Sequence, residues 1–479
     1  AITGLMGKHI LASQERPIFY YGQHYLGAIE AYLVALSYAL FGLSPFSLRL
    51  VPFIFSVCLI QAVFLFGRAS FDRQTGLLSA SLVAIPSPYF FDFLLKARGG
   101  FGETVLLIFL LATFSYRVIR TNHKRLFHIL VYGFLTGLLF FIYQAVLLHI
   151  FVILFIRFFL LKPRPSIGSF IFWLLGFIVG ALPLLVYNIQ HPFATFLDIG
   201  GKYLGITGSL SREHGLVGSV FLSLPNRVLN LGDGLLNFFH VLAGIPGSAQ
   251  GWLSIGIGVA YTLVAGLFYY QHRERFLEIF RQNCRAQNIN GLDLVPILMF
   301  LTFLSGFMRP RYLLVCYPLI AILVIRLLLS RVPSPIGILI MCLIWSFNCI
   351  GTVSTFSDPP RKPYDALVNY LRGEHLKYGY TGYYTAYPVV FLSNEDIILS
   401  PRAGPIFLDR YEPYSRQVDK TQNACYIFFS ESRTDALFAQ QLQRLNTEFK
   451  KVSVGAWNVY SDLPPNIRGS ITLPVTAGN

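Results

Sequence analysis

Ten apolar runs, at roughly residues 46–67, 75–94, 102–119, 126–143, 145–161, 168–188, 251–271, 293–308, 312–330 and 334–353, approach the length of a membrane crossing. About 20 mainly apolar residues span the hydrocarbon core as a helix. Such runs leave few folds open, because in lipid every backbone N–H and C=O must find its partner within the protein. The expected fold class is therefore an α-helical polytopic membrane protein. Composition agrees: 54% of the 479 residues are hydrophobic and 13% charged, with a mean hydropathy of +0.57. The 44 Phe and 27 Tyr suit packed helices and the aromatic belts at headgroup level.

The net charge of +15 is distributed as a membrane chain distributes it, not as a nucleic-acid footprint. Alternate loops carry Arg68 and Arg73; Arg117, Arg120, Lys124 and Arg125; Lys162 and Arg164; Arg273, Arg275, Arg281 and Arg285; and Arg331. Short basic loops face the cytoplasm, so this parse predicts an integral plasma (inner) membrane protein. The other face receives residues 1–45, 95–101, a turn near Gln144, 189–250, 309–311 and 354–479. The six cysteines show no spacing of a zinc site or disulfide framework. The chain begins at Ala1 without a basic n-region or an apolar signal segment.

Three regions follow. Residues 1–45 read as an extracytoplasmic loop, with 26–42 an interfacial helix too short to span and carrying Glu30. Residues 46–353 form the transmembrane domain of about ten spans, with a long outside loop at 189–250. In 354–479 acids become frequent and apolar runs shorten to strand length, which predicts a small C-terminal α/β extracytoplasmic domain. Helices are expected at Asp365–His375 and Asp435–Leu445. Strands are expected at Asp396–Leu399, Cys425–Phe429, Val452–Val454 and Asn458–Tyr460.

The stretch from Phe90 to Thr104 places Asp92, Lys96, Arg98 and Glu103 around Gly99 and Gly100, between two apolar runs. Charges near hydrocarbon are costly and mark functional sites. Glycines let a ligand approach the backbone. Lys96 and Arg98, like Arg309 and Arg311, lie on loops that the charge rule assigns to the outer face, and binding an anion there accounts for them. Asp92 reads as an ion-pair partner of Lys96 at i,i+4. Glu103 suits a helix N-terminus. His24 reads first as a hydrogen-bonding loop residue, and Tyr21 and Tyr25 as either belt residues or stacking groups.

Four stretches resemble the GT-C superfamily of polyprenyl-phosphate-sugar glycosyltransferases, in its protein O-mannosyltransferase and aminoarabinose-transferase-like branch. They are Tyr20–Tyr25 leading into Glu30-Ala31-Tyr32-Leu33 and Leu40-Phe41-Gly42; Ser47–Pro52 opening a span that ends Phe66-Gly67-Arg68; Lys96-Ala97-Arg98 with Glu103; and Arg311-Tyr312-Leu313-Leu314 with Tyr317-Pro318. The resemblance implies a GT-C-like fold and transfer of a sugar from a polyprenyl phosphate to a lipid, glycan or protein acceptor. Besides these partners it implies membrane lipids, and no nucleic acid. It also implies that the family's first span and its acidic base would precede Ala1. A second acidic position of the family falls near Gln23-His24-Tyr25.

On this reading Glu103, Glu30 and His24 are the candidate catalytic residues. Lys96, Arg98, Arg309, Arg311 and Tyr312 would bind the donor phosphate, since guanidinium groups match phosphate oxygens. Tyr21, Gln23 and Tyr25 would bind substrate. The cofactor stays open between none and a divalent metal ion. The rival is a transporter or flippase of a lipid-linked saccharide, which would favour ionisable residues near mid-membrane and broken helices. A Walker-type glycine loop, a paired-histidine zinc helix and a Gly-x-Ser-x-Gly elbow are all missing from the sequence.

Overall fold

The computed structural model describes residues 1–121, 126–144, 166–192, 194–195, 316–357, 364–403 and 408–464, and elements are numbered among these. The expected spans at 145–161, 251–271 and 293–308 lie outside them. The chain divides into two compact units: Ala1–Gln23, Val34–Ala39 and Asp358–Asn479 in one, His24–Leu33 and Leu40–Ser357 in the other.

The larger unit is helical. Helix α2, Ile29–Phe41, begins with Glu30 in its first turn, and its residues Val34–Ala39 count with the smaller unit. Helix α3, Pro45–Ser70, starts where Ser44 Oγ accepts from Ser47 N at 3.1 Å, with Pro45 in the first turn. Helix α4, Arg73–Ala84, is capped by Asp72, which accepts from Thr75 N at 2.7 Å. The expected single run 75–94 is broken. Helix α5, Pro88–Leu94, is bent 81° from α4. Pro86 and Pro88 explain the break, since neither can donate to a helical ladder and each disfavours helix in the residue before it. Then come α6, Phe101–Thr121, α7, Leu126–Ile142, α8, Ile167–Gln190, α9, Cys316–Arg331, and α10, Ser334–Ser357.

Among the described residues α3, α8 and most of α10 are long and apolar enough to cross a membrane, and α4 with α5 makes a fourth candidate if the bent pair is one span. Their apolar side chains face outward: Ile338 is 64% exposed, Leu343 61% and Ile350 68%. Such faces are stable against lipid or another apolar surface, not against water. Helices α7 and α8 meet through Gly133 and Gly137 on one side and Gly176 and Gly180 on the other. A Cβ built on any of the four would fall onto a carbonyl oxygen of the facing helix, at Trp173, Phe177, Leu130 and Phe134 respectively. Small residues at this spacing let backbones approach closely where no hydrophobic force drives helices together.

After β1, Phe19–Tyr20, and β2, Gln23–Gly27, the smaller unit holds a five-stranded sheet in the order β4-β3-β5-β7-β6. Strands β3, Tyr378–Tyr380, and β4, Ile398–Ser400, run parallel to each other, and β5, Cys425–Phe429, is parallel to β3. Strands β6, Lys450–Val454, and β7, Trp457–Ser461, complete it antiparallel. Helix α11, Tyr364–Gly373, precedes these strands, and α12, Tyr383–Leu392, α13, Glu412–Lys420, and α14, Arg433–Arg444, connect them. The expected strands and helices at the C-terminal end recur within a few residues. Strand β3, α12 and α13 are additions. Three residues are too few to show a strand period, and α12, YYTAYPVVFL, lacks the polar face that reveals a helix.

Also unforeseen is α1, Ile2–Leu11, in a stretch read as polar loop. It packs by small residues: a Cβ on Gly4 would lie 2.6 Å from the Phe391 ring, and one on Gly7 2.7 Å from Val34. Its end is tied to the turn after α12, where Glu395 receives Lys8 at 2.5 Å and His9 at 2.9 Å. Burial alone would raise the Glu395 carboxyl, but hydrogen bonds from His9, Lys8 and Tyr414 outweigh it and hold it at about 2. A carboxylate depressed in the folded state contributes stability above its unfolded value and loses it as pH falls through the folded one. Thermal unfolding of the protein in detergent should therefore occur at lower temperature as pH drops from about 5 towards 2. Glu395→Gln should show a shallower fall, and an unchanged acid slope in that variant would refute the assignment.

Candidate active site

The turn between α5 and α6 is held by two carboxylates. Gly99 and Gly100 both have positive φ, +65° and +77°. Here the left-handed backbone requires glycine, and a Cβ on Gly100 would also strike Leu26. Buried N–H groups must be paired, and the two consecutive amides meet different acids. Gly99 N donates to Glu30 Oε2 at 2.6 Å, and Gly100 N donates to Glu103 Oε1 at 2.9 Å. Thr104 Oγ1 donates back to Gly100 O. Glu30 and Glu103 are each 2% exposed.

Two carboxylates sharing a small dry space resist ionising together. Burial, with Glu103 close by, pushes Glu30 at the start of the short helix α2 well above the ordinary carboxylate range. The two acids differ in what they have left to offer. Glu103 Oε2 is buried with no hydrogen-bond partner among the described residues, so it has an acceptor to give to a proton donor or a cation.

The cations of the turn stand more open. Lys96 Nζ lies 2.6 Å from Asp92 Oδ1, and Arg98 Nη2 lies 3.3 Å from Asp92 Oδ2. The Arg98 guanidinium also sits 4.8 Å from the Phe93 ring centroid. The side chains of Lys96 and Arg98 are 55% and 39% exposed. Ion pairs this exposed are weak, so an incoming anion exchanges with Asp92 at little cost. The Asp92–Lys96 pairing is the one expected from their i,i+4 spacing.

Of the predicted residues, Glu30, Lys96, Arg98 and Glu103 are gathered by this one turn. His24, in the same unit, is exposed and stacks on Tyr187 at 5.7 Å. Tyr25 is buried in that unit at 4% exposure. Tyr21 and Gln23 belong to the smaller unit. Tyr21 is buried there and donates to Glu15 Oε2 at 2.5 Å. Arg309, Arg311 and Tyr312 lie outside the described residues.

Sequence reasoning passed over Leu26, Thr104 and Tyr143. Leu26 forms an antiparallel bridge with Tyr143, and the Tyr143 ring lies 5.5 Å from Phe101 at the start of α6. Only Thr104 had a local signal, as a hydroxyl four residues after Gly100.

Residues 28–187 match the family model described as dolichyl-phosphate-mannose-protein mannosyltransferase. The matched stretch contains Glu30, Lys96, Arg98 and Glu103. Among solved structures, the oligosaccharyltransferase of Archaeoglobus fulgidus, crystallised with zinc and sulfate, gives a TM-score of 0.53 at 16% identity over 92% of this chain. This chain spans 65% of that protein's length. The same archaeon's AglB, in complex with an inhibitory peptide and a dolichol-phosphate, gives 0.51 at 15% identity over 98% of this chain and 70% of its own. ArnT of Cupriavidus metallidurans, bound to undecaprenyl phosphate, gives 0.47 at 12% identity over 96% and 92%. A sequence comparison with curated proteins finds no match.

Proposed function

We propose that this chain, a member of the GT-C superfamily by its fold and by the mannosyltransferase-family match over residues 28–187, is a membrane glycosyltransferase. It moves a sugar from a polyprenyl-phosphate donor to a hydroxyl of a lipid, glycan or protein. The observation that carries this reading is the turn itself: two open cations on a backbone pinned by two buried carboxylates. The named complexes of similar folds hold a dolichol-phosphate, an inhibitory peptide and, in another crystal, a tethered acceptor peptide. Both ligand classes suit the proposed donor and acceptor.

In the proposed reaction the acceptor oxygen attacks the anomeric carbon from the face opposite the phosphate. The bond from that carbon to the phosphate oxygen breaks, its electron pair stays on the phosphate, and the configuration inverts. Lys96 and Arg98, and on the sequence reading Arg309 and Arg311 as well, stabilise the charge that develops there. Preorganised charge at such a point is often the largest catalytic term. The acceptor proton goes to a carboxylate, and Glu103 is the better candidate because its Oε2 is unengaged while Glu30 holds Gly99. His24 is the alternative base.

Glu103 and Glu30 are also the hard oxygen donors that would hold a divalent cation. The orphaned Oε2 of Glu103 fits one, and an ion held there would leave His24 as the base. No cluster of three or more metal-ligating side chains occurs among the described residues, so an ion held by these two acids would need other donors to complete its shell. Such an ion would supply positive charge at the leaving phosphate.

The basic loops support an inner-membrane orientation with the turn and the α/β unit on the outer face. A carrier would share the 81° break between α4 and α5. The family match across those same helices favours the transferase.

The test is transfer from radiolabelled polyprenyl-phosphate sugars in membranes containing the protein. Arg98→Ala and Arg311→Ala are each expected to lower the rate about 100-fold at unchanged protein level. No transfer from any donor, with lipid movement across liposomes instead, would replace this reading by the carrier.

A further inference from the structure

In the smaller unit a histidine is buried where both of its ring nitrogens meet oxygens that have no hydrogen to give. His9, on α1, is 2% exposed. Its Nε2 lies 2.9 Å from Glu395 Oε1, and its Nδ1 lies 2.8 Å from the Tyr21 hydroxyl. That hydroxyl donates its single hydrogen to Glu15 Oε2 at 2.5 Å. Tyr414 donates to Glu395 Oε1 at 2.6 Å, and Tyr411 donates to Glu15 Oε1 at 2.6 Å. Each phenol hydrogen is thus committed to a carboxylate, and a carboxylate only accepts. For the network to be satisfied, both nitrogens of His9 must donate.

We infer that His9 is held as an imidazolium, and that its charge is a pH-dependent latch fastening the end of α1 to the α/β sheet unit. The groups facing it come from every element around it: Lys8 on α1, Glu15 and Tyr21 on the segment that follows, Glu395 after α12, and Tyr411 and Tyr414 at α13. Among the acids and bases of this cluster, Lys8 and His9 balance Glu15 and Glu395. Losing the His9 proton leaves two half-buried carboxylates against one cation. It also forces Tyr21 to choose between Glu15 and Nδ1. Burial and the nearby carboxylates push the Tyr21 and Tyr414 hydroxyls up, which keeps them donors throughout the range in which a histidine titrates.

The latch holds while His9 is protonated and releases as pH rises. Nothing in this inference depends on the transferase reading, because the network lies wholly within the smaller unit.

The experiment is hydrogen–deuterium exchange of the detergent-solubilised protein at pH 6, 7.5 and 9, corrected for intrinsic exchange rates, with α14 as the internal reference. Protection of residues 2–11 should fall about tenfold relative to α14 between pH 6 and 9, the size of one lost charge-assisted interaction. His9→Gln should show low protection of α1 at every pH. Constant protection of α1 in the parent protein across this range overturns the latch, as does an equal fall in His9→Gln. If His9→Gln does not fold, the parent series decides alone.

Discussion

Gly137→Leu should prevent the helical unit from assembling, with little protein recovered as a monodisperse species in mild detergent. The expectation rests on where the missing side chain would go. A Cβ on Gly137 would fall onto the Phe177 carbonyl, with the Phe177 carbon at 2.8 Å and the Ala181 nitrogen at 2.9 Å. These are backbone atoms, so no rotamer change relieves the clash. Overpacking a core costs roughly 1–3 kcal/mol when side chains can shift, and here α7 and α8 must separate instead. The three companion glycines lose their close contacts at the same time. Gly168, with only the Ser166 hydroxyl within 4 Å among the described residues, supplies the control, and Gly168→Leu should leave recovery and melting temperature nearly unchanged. Size-exclusion chromatography with a thermal series measures both. A Gly137→Leu protein as stable as the parent would mean that α7 and α8 do not meet this way.

The second large effect is expected at Glu30. Glu30→Ala removes the acceptor of Gly99 N and leaves a buried amide unpaired, at a cost of about 1–3 kcal/mol. The local consequence should exceed the global one. Gly99 loses its only described anchor to another element, so Lys96 and Arg98 no longer meet the donor phosphate in a fixed geometry. Misplacement by an ångström costs about 100-fold in rate. Glu30→Gln keeps an acceptor for Gly99 and should retain far more activity.

Glu103→Gln separates the roles from the other direction. It preserves an acceptor for Gly100 N but removes the carboxylate charge, so it should lose transfer while keeping stability. Equal losses in Glu30→Gln and Glu103→Gln would mean that both charges act directly, against the division of labour proposed for the turn. Calorimetric titration with manganese on the same variants reads the cation independently of activity. The Glu103 variant should lose binding most.

Much of the fold was legible because lipid simplifies the rules. Runs of apolar residues near 20 long, punctuated by basic loops, predicted α3, α6, α7, α8 and α10 within a few residues of where they lie. The 81° break in 75–94 was missed by counting hydropathy over Pro86 and Pro88 without weighing the missing N–H groups and the constraint on preceding residues. In the smaller unit Cys425–Phe429 is the strand expected, because a β-branched and aromatic run bounded by polar residues has one reading. Helix α12 escaped because it is apolar on every side.

The same division runs through the candidate site. The sequence by itself determined that Lys96, Arg98 and Glu103 crowd a glycine turn, that Asp92 would pair with Lys96, and that an acid opens the short helix before the first long span. Those are facts of spacing, and spacing is local. Only the tertiary structure decided that Glu30, 69 residues from Gly99, supplies the acceptor for its amide, and that Glu103 keeps an oxygen unengaged. The burial of His9 between Glu395 and the Tyr21–Glu15 pair was likewise decided by the fold, since its partner lies 386 residues away. A buried polar group must find its partner wherever the folded chain puts one, and no periodicity along the sequence records that distance.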